Sequence, residues 1–447
     1  MAGASDKARF YLENSLGELS ELERKKIFTK DEIVSIARKR SDFEHIINAR
    51  GSNPSDYVRY IEFEKNVDAL RRKRIERLGV KSNGTGSRTV FFLYNRAIRK
   101  FPGDLDIWMQ YIEFARKEKA FKKLNEIFTK VVRLHPTKPG LWIYAARYFM
   151  EDQADITNAR SYMQRALRFN KSSEAIWLEY AKLETIYIAK IAGRRKILGL
   201  DDEHATQATE QEDGDMIALP SVTAEDINPS VGKEEGADEV ALQNLAAAPV
   251  LTGAIPIAVF DAAMKQFRDD PKVAERFFTM LAEFEQLPCL ERILNHILRR
   301  LQETAPRTAS TIKCGVMLHL LRAHPTSPEF PAALRTSLSM LDSAIQADSR
   351  MAGELAEFAI RQLISPLRTV EEADEQALKK ALAASIRKYS RQLEDATSAT
   401  TGDAIAKVVE SLSREGGKAD AKRLLELCVK QYGANEQLQL LLKSLGT

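Results

Sequence analysis

The chain has 447 residues, of which 44% are hydrophobic and 29% charged, and its formal net charge is +4. This composition is typical of a folded protein with a large core, either several domains or one elongated array. The apolar run from Leu245 to Phe260 contains two prolines and is too short to span a bilayer. The N-terminus shows no secretory pattern, and three widely spaced cysteines indicate a reducing compartment without a disulfide framework.

The small net charge conceals a division between the two halves of the chain. Residues 1–200 contain 40 Lys and Arg against 25 Asp and Glu, a net charge of +15, whereas the remainder has 27 against 38. A basic front half is typical of proteins that bind RNA or an acidic protein surface. The alternative is that these charges serve only to keep helical surfaces soluble.

The first 80 residues are predicted to be helical. Thr29 and Glu32 have the spacing of a capping box, and Asn53-Pro54 supplies an N-cap and a first-turn proline. In the following helix, Tyr57 and Tyr60 begin an apolar stripe at helical spacing. That helix becomes strongly basic before it ends at glycine; its basic residues are Arg71, Arg72, Lys73, Arg74 and Arg77.

Lys81 to Ser87 has the composition of a flexible connector. Its glycines resemble a phosphate-binding loop only superficially. The stretch from Gly79 to Gly84 is not followed by Lys-Ser or Lys-Thr, and no strand is predicted before it. An ordinary loop between helices is therefore expected.

Three tryptophans then recur at a fixed interval. Trp108, Trp142 and Trp177 are separated by 34 and 35 residues. Eleven residues before each tryptophan lies a small residue, Ala97, Val131 or Ala166, and an aromatic residue or methionine stands three residues before it. Two markers that keep a constant phase indicate a repeat, and a period near 34 is that of stacked helix pairs.

The spacing within each repeat predicts which side chains are internal. Positions 0, +3 and +6 or +7 from each tryptophan fall on one face of a helix. The same pattern occurs with Tyr57 before the tryptophans and with Phe278 after them. The predicted repeat core comprises Tyr57, Tyr60, Trp108, Tyr111, Trp142, Tyr148, Trp177, Tyr180 and Phe278.

After Leu183 the helix is predicted to continue to the basic cluster Arg194, Arg195 and Lys196. Residues 201–240 then contain 13 Asp or Glu and a single lysine. Such a segment buries too little apolar surface to offset its ordering entropy, which predicts a disordered acidic insert over residues 201–256. Within it, the apolar stretch from Val240 to Leu251 is either a docking segment or a plain linker.

Helical periodicity returns at Ile257 and continues to the leucines near the C-terminus. No alternating strand pattern of useful length is present, so the fold class is predicted to be all-α, a helical-repeat solenoid interrupted by the insert. Four regions follow: an N-terminal helical region with the first repeat (1–80), the main repeats (81–200), the insert (201–256) and a C-terminal repeat-like region (257–447).

No catalytic or cofactor-binding constellation is apparent, so we expect no enzyme and no cofactor. The six histidines form no His-Glu-x-x-His pattern, and there is no Cys-x-x-Cys. Cys314, His319 and His324 are close in sequence, but Cys314 falls on an apolar helical face, which favours a core thiol over a metal ligand. Glu64 and Glu184, at equivalent repeat positions, are predicted to form hydrogen bonds between helices.

The Trp-x-x-Tyr-x-x-Phe stripe and the Tyr-x-Arg-Ala block resemble half-a-tetratricopeptide (HAT) repeats, which occur mainly in RNA-processing assemblies. The N-terminal segment is more specific: its sequence resembles the U3 small nucleolar RNA-associated protein 6 family. The segments that carry this resemblance are Lys7–Glu13, Ile27–Ile33, Arg38–His45 and Arg72–Gly79. In the third repeat, Ala145 replaces the usual tyrosine.

The resemblance implies a nucleolar subunit of the small-subunit processome, in its UTP-B subcomplex, that acts with β-propeller proteins and U3 small nucleolar RNA in processing of pre-ribosomal RNA to 18S rRNA. Two functions fit the residues. One is a protein-binding scaffold. The other is sequence-independent contact with RNA phosphates. The candidate binding residues are Arg38, Lys39, Arg40, Arg71, Arg72, Lys73, Arg74, Arg77, Arg194, Arg195 and Lys196.

Overall fold

A computed structural model describes residues 4–49, 51–80, 86–197, 249–372, 375–397, 402–432 and 435–445. All regular structure within these ranges is helical, which confirms the predicted all-α repeat fold. The helices are α1 (Ala4–Arg24), α2 (Lys30–Asn48), α3 (Pro54–Leu78), α4 (Gly86–Lys100), α5 (Leu105–Lys117), α6 (Phe121–Leu134), α7 (Pro139–Glu151), α8 (Ile156–Phe169), α9 (Glu174–Ile197), α10 (Ala254–Gln266), α11 (Pro271–Ala282), α12 (Leu290–Thr304), α13 (Ala309–Leu321), α14 (Phe330–Ala347), α15 (Ala352–Glu372), α16 (Gln376–Thr397), α17 (Asp403–Arg414), α18 (Lys418–Tyr432) and α19 (Glu436–Leu445).

The helices belong to two compact units, Met1–Ala145 and Ala146–Thr447, which divide within α7. In the first unit each helix from α1 to α5 packs against the helix that follows it. Because short loops join them, successive helices run in opposite directions and form pairs. We call the helix with the tryptophan or its tyrosine equivalent the first helix of a repeat (α3, α5, α7, α9), and its successor the second helix. The predicted domain boundaries at residues 80 and 200 stay predictions.

Short-range signals fix the helix ends. The Thr29 amide donates to Glu32 Oε2 at 2.9 Å, and the Glu32 amide donates to Thr29 Oγ1 at 3.4 Å, which confirms the capping box. Asn53 and Asp56 form the same kind of box at the start of α3. Gly79 ends α3 in the left-handed conformation with φ of +62°, which a residue without Cβ adopts at little cost.

The predicted connector from Lys81 to Ser87 is shorter than expected. Residues 81–85 lie outside the described ranges, but Gly86 and Ser87 already belong to α4. Gly86 is buried where α4 meets α3, and a Cβ there would lie only 1.9 Å from Asp68 Oδ1. This glycine is therefore required for close helix contact rather than for loop flexibility.

The acidic segment separates two helices that pack together. Residues 198–248, which hold most of the predicted insert, lie outside the described ranges, and α9 and α10 on either side of them are in contact. In α10, Phe260 and Ala263 are fully buried and repeat the aromatic-to-small spacing of a second helix. The acidic segment is thus inserted within a repeat, between the first helix α9 and the second helix α10.

The C-terminal limit of the predicted insert is wrong by several residues. Pro249–Thr252 forms a 3-10 turn and α10 begins at Ala254, so residues 249–256 are not a linker. Pro256 is the last residue of the predicted insert. It lies in the first turn of α10 instead, where its missing N–H would have no helical partner.

A proline inside α15 does not end the helix. Helix α15 continues through Pro366 to Glu372. Leu363, Leu367 and Val370 on either side of the proline are buried in the core formed with α16 and its neighbours. Continued burial of this apolar face outweighs the roughly 3 kcal/mol that an internal proline costs a helix.

Candidate partner-binding surfaces

The tryptophans fasten each interhelix loop to the helix that follows it. The indole Nε1 of Trp108 donates to Pro102 O at 3.0 Å, and that of Trp142 donates to Pro136 O at 2.9 Å. Trp177 donates to Lys171 O at 3.0 Å. The acceptor lies six residues before the tryptophan in all three repeats. The conserved spacing within the repeat therefore produces the same hydrogen bond each time.

The predicted repeat core is largely internal. Trp177 is only half-buried. In the first unit, Tyr111 stacks on Tyr94 with ring centroids 4.9 Å apart, and burial raises the pKa of the Tyr111 hydroxyl to about 12. The buried members are Tyr57, Tyr60, Trp108, Tyr111, Trp142, Tyr148, Tyr180 and Phe278.

Two glutamates at equivalent repeat positions form ion pairs between helices. Arg40 of α2 donates from Nε and Nη2 to the two carboxylate oxygens of Glu64 in α3, at 2.7 and 2.8 Å. Arg160 of α8 makes the same bidentate contact with Glu184 of α9, at 2.7 and 2.6 Å. Both pairs join residues 24 apart in sequence, which confirms the predicted interhelical role of Glu64 and Glu184.

Most arginines of the basic run in α3 are bound to carboxylates of the same unit. Arg71 is buried and its guanidinium lies 2.6 Å from Asp68 Oδ1. Arg72 bridges Asp68 and Glu118, each at 2.7 Å, and so connects α3 with the end of α5. Arg72 therefore joins two helices, whereas the Arg71 pair with Asp68 lies within α3.

Arg74 serves the N-terminus of α2. It donates two hydrogen bonds of 2.7 Å to Glu32 and one of 3.0 Å to Ile27 O, and it lies over the Phe28 ring. The Arg74 hydrogen bond, with that from the Thr29 amide, lowers the pKa of Glu32 to about 2. The capping box is thereby tied to α3.

The structure corrects part of the predicted binding set. Arg40 and Arg71 are buried in ion pairs, so neither presents its charge to a partner, because displacing it would leave a buried carboxylate unpaired. Arg38, Lys73 and Arg77 are exposed and form no ion pair with any residue in the described ranges. Lys39 is exposed, with its ammonium 5.6 Å from the centre of the Phe63 ring.

The second predicted cluster lies at the end of α9. Arg194 and Lys196 are exposed and Arg195 is half-buried. All three lie in the last turn, where cations interact favourably with the helix dipole. Lys196 also borders a pocket of about 580 Å³ between α9 and the loop that follows α11. As a binding cluster these residues stay a prediction.

Sequence reasoning did not anticipate an apolar groove between α1 and α4. Its volume is about 380 Å³, and its walls include Phe10, Tyr11 and Leu12 of α1 with Phe92 and Leu93 of α4. Phe10 is 59% exposed and Phe92 is 44% exposed, although both rings belong to helices that pack in the same unit. The apolar run at residues 10–12 was the one sequence signal of this groove.

The charges around the groove are largely neutralised within the protein. Arg96 donates to both carboxylate oxygens of Glu44, at 2.7 and 2.9 Å, and lies 4.0 Å from the Tyr11 ring centre. Arg40, which also lines the groove, is paired with Glu64. Arg88, at the rim, is exposed and has no ion-pair partner among the described residues. The described lining therefore offers aromatic surface, the exposed Arg88 cation at the rim and the partly buried Glu18 carboxylate.

Within the described ranges, no group of three or more His, Cys, Asp or Glu is arranged to hold a metal ion. Cys314 is fully buried in α13, as expected of a core thiol. None of the described helices is both long and apolar enough to cross a membrane.

Comparison with known proteins confirms the resemblance that the N-terminal sequence indicated. Residues 12–99 match the family model of U3 small nucleolar RNA-associated protein 6. The protein of that name from Schizosaccharomyces pombe is 34% identical over 244 residues, which cover 52% of this chain and 50% of the yeast protein. The human homolog is 32% identical over 186 residues, 40% of this chain and 31% of its own length. This chain thus spans about half the length of its curated relatives, or less.

Solved structures of helical-repeat proteins show only a weak likeness. The P58(IPK) TPR domain aligns with a TM-score of 0.20 and 13% identity over 86% of this chain and 97% of its own. A circular tandem repeat protein aligns with a TM-score of 0.22 and 14% identity, over 99% and 96%. The fold assignment rests on the helices described above.

Proposed function

We propose, from the match of residues 12–99 to the family model of U3 small nucleolar RNA-associated protein 6, that this chain is a non-enzymatic scaffold in ribosome biogenesis. In this proposal it acts in the nucleolus as a subunit of the small-subunit processome. There it binds other proteins of the UTP-B subcomplex, β-propeller subunits among them. It thereby supports U3 small nucleolar RNA-dependent processing of pre-ribosomal RNA to 18S rRNA.

The observation that supports a scaffold best is the apolar groove between α1 and α4. Exposed aromatic rings that border a cavity are typical of surfaces that bind another protein. The helices that form the groove coincide with the family-matched residues 12–99, except for the first part of α1. This is the part of the chain whose sequence is most specific to the family.

The chemistry of the groove favours one kind of occupant. The Arg96–Glu44 and Arg40–Glu64 pairs leave little free charge inside, so a nucleic-acid backbone gains nothing there. Aromatic walls with Arg88 at the rim fit a short protein segment that presents apolar side chains and one carboxylate. We therefore assign the groove to an apolar, singly acidic segment of a partner subunit.

Replacing the exposed rings tests this assignment. The full-length variant Phe10→Ala/Phe92→Ala is expected to bind purified β-propeller subunits at least about tenfold more weakly, because buried aromatic anchors dominate such interfaces. Leu70→Ala/Leu78→Ala is the matched control, since both leucines are exposed on α3 outside the groove. The melting temperatures of both variants establish that they are folded.

Two results would refute the groove as the docking site. One is unchanged partner binding by the folded Phe10→Ala/Phe92→Ala variant. The other is equal weakening by the α3 control, which would indicate a general effect of removing apolar surface. A wild-type chain that fails to bind any processome protein would refute the scaffold proposal itself.

A second function is direct, sequence-independent binding of pre-ribosomal or U3 RNA through the basic front of the chain. The net charge of +15 over residues 1–200 supports it. Since α3 uses three of its five clustered basic side chains internally, this RNA contact needs another surface.

A further inference from the structure

The second helices of the front repeats carry an excess of positive charge. Together α4, α6 and α8 contain eleven Lys or Arg against one Glu. The neighbouring first helices α5 and α7 are balanced, with three basic and three acidic residues. The positive charge of the front half is thus concentrated on alternate helices, which a count along the sequence does not reveal.

These charges keep a constant register within the repeat. The small residue of each second helix is fully buried, and a basic residue stands one position before it and another two positions after it. The two basic positions are i and i+3, so they lie on one face of the helix. The residues are Arg96 and Arg99 in α4, Lys130 and Arg133 in α6, and Arg165 and Arg168 in α8.

Exposure distinguishes this register from the run in α3. Five of the six side chains are exposed, and Arg96 is the exception, since it is paired with Glu44. Arg99, Lys130 and Arg133 form no ion pair with any residue that the structure describes in this unit. Their positive charge is therefore available to a ligand.

Contacts within the first unit bring the ends of its second helices together. A ring nitrogen of His135, at the end of α6, lies 2.8 Å from Pro102 O, just beyond the end of α4. Lys100 in turn donates to Ile47 O at the end of α2, at 2.7 Å. Arg99 and Arg133 are therefore placed along one edge of the unit, and Lys130 lies about one turn from Arg133.

Compensation of the helix dipole accounts for only part of this pattern. Cations in a last turn are favourable by themselves, which fits Arg99 and Arg133. The effect falls off within one turn, so it does not account for Lys130, which lies before the last turn of α6. It also does not account for the absence of acidic residues from α4.

Exposed aromatic rings accompany the charges. Phe121 of α6 is 49% exposed and Phe169 of α8 is 58% exposed, whereas Phe92 of α4 belongs to the apolar groove. Single-stranded nucleic acid is bound by basic side chains that follow its backbone and by rings on which bases stack, without sequence preference. Cations at a constant register, on helices that also carry exposed rings, are the combination with which proteins bind single-stranded nucleic acid.

We propose that the exposed faces of α4 and α6 bind the phosphodiester backbone of single-stranded RNA, with Arg99, Lys130 and Arg133 as the phosphate ligands. This inference rests on the RNA contact proposed above and moves it from the basic run of α3 to the second helices. Helix α8 of the second unit carries the same register and contributes equivalent contacts from its own unit.

The test uses the full chain and a fluorescent oligouridine of about 20 nucleotides, a length that exceeds one binding site of this kind. Arg99→Ala/Lys130→Ala/Arg133→Ala is expected to weaken binding at least about tenfold. The slope of log affinity against log salt concentration is negative, and each lost contact makes it less steep by about 0.7. The loss of three contacts should therefore make it less steep by about 2. The control is Arg38→Ala/Lys73→Ala/Arg77→Ala, which removes the same charge from α2 and α3 and should leave the salt slope nearly unchanged.

Other outcomes would overturn the inference. Equal losses in both triple variants would mean that only overall charge matters. Normal RNA binding by the second-helix variant would place the contact elsewhere, and loss of binding to polyglutamate without loss of RNA binding would identify an acidic protein as the ligand. If the wild-type chain binds no RNA, the RNA function proposed above fails as well. Binding to β-propeller subunits should be unchanged in both variants, which separates this inference from the scaffold.

Discussion

Helices α3 and α6 are both basic, yet they use their charge in opposite ways. Arg71, Arg72 and Arg74 of α3 form ion pairs with Asp68, Glu118 and Glu32, whereas Lys130 and Arg133 of α6 face solvent. The difference follows from helix geometry. Consecutive residues point about 100° apart, so a run of four encircles the helix and most of its members meet a neighbouring helix.

Residues three apart share one face, and a repeat that preserves this spacing keeps its cations on the outside. Available charge therefore depends on the angular distribution of basic residues and on the carboxylates opposite them. The density of basic residues in the sequence is a poor guide to it. This distinction can be tested by measuring protein stability. Removing a paired cation should lower the free energy of unfolding more than removing an exposed, unpaired one.

The largest effect is expected at Arg40, the most deeply buried of the predicted binding residues. Arg40→Ala should lower the free energy of unfolding of the first unit by about 3–5 kcal/mol, because it leaves the Glu64 carboxylate buried and unpaired. Chemical denaturation measures this loss, with exposed Arg38→Ala as the control. Arg40→Met/Glu64→Leu should recover most of the stability. A loss below about 1 kcal/mol in Arg40→Ala would contradict the buried pair.

A smaller, pH-dependent effect is expected at Arg74. The pKa of Glu32 is lowered from 4.5 to about 2, so this group stabilises the fold fully above pH 4.5 and loses that contribution as the pH falls towards 2. In Arg74→Gln the Glu32 pKa should rise, which makes the melting temperature less sensitive to pH across this window. Lys73→Gln, an exposed neighbour, should retain the wild-type profile. Identical acid profiles in the two variants would refute the role of Arg74.

The smallest effect is expected on α6. Lys130→Ala/Arg133→Ala removes two exposed cations that have no carboxylate partner among the described residues, so the free energy of unfolding should change by no more than about 0.5 kcal/mol. Thermal unfolding at two salt concentrations measures it. A destabilisation well above about 1 kcal/mol would show that these side chains hold the fold, as those of α3 do.

The repeat architecture was predictable because its signals are local and periodic. Trp108 and Trp142 marked the period, and the capping box of Thr29 and Glu32 and the glycine at residue 79 marked helix ends within a few residues. Such features depend on spacing within one or two helices. Even the Arg40–Glu64 and Arg160–Glu184 pairs left a trace, as a repeated separation of 24 residues between helices.

The candidate sites were less predictable because they depend on which helices meet. The groove needs α1 to pack so that Phe10 and Phe92 border one cavity, although 82 residues separate them. Pro366 shows the same limit, since burial of Leu363 and Leu367 keeps a helix intact where the local signal predicts its end. The contact of α9 with α10 across the acidic segment had no local signal.

By itself, the sequence determined the all-α repeat, its period, its internal aromatic residues and the resemblance to one family, because each depends on residues within one or two helices. The tertiary structure decided which cations are free. It buried Arg40 and Arg71, tied Arg72 and Arg74 to carboxylates, and left Lys130 and Arg133 exposed. Availability of a charge depends on the groups that packing brings within about 3 Å, and distant parts of the chain supply those groups.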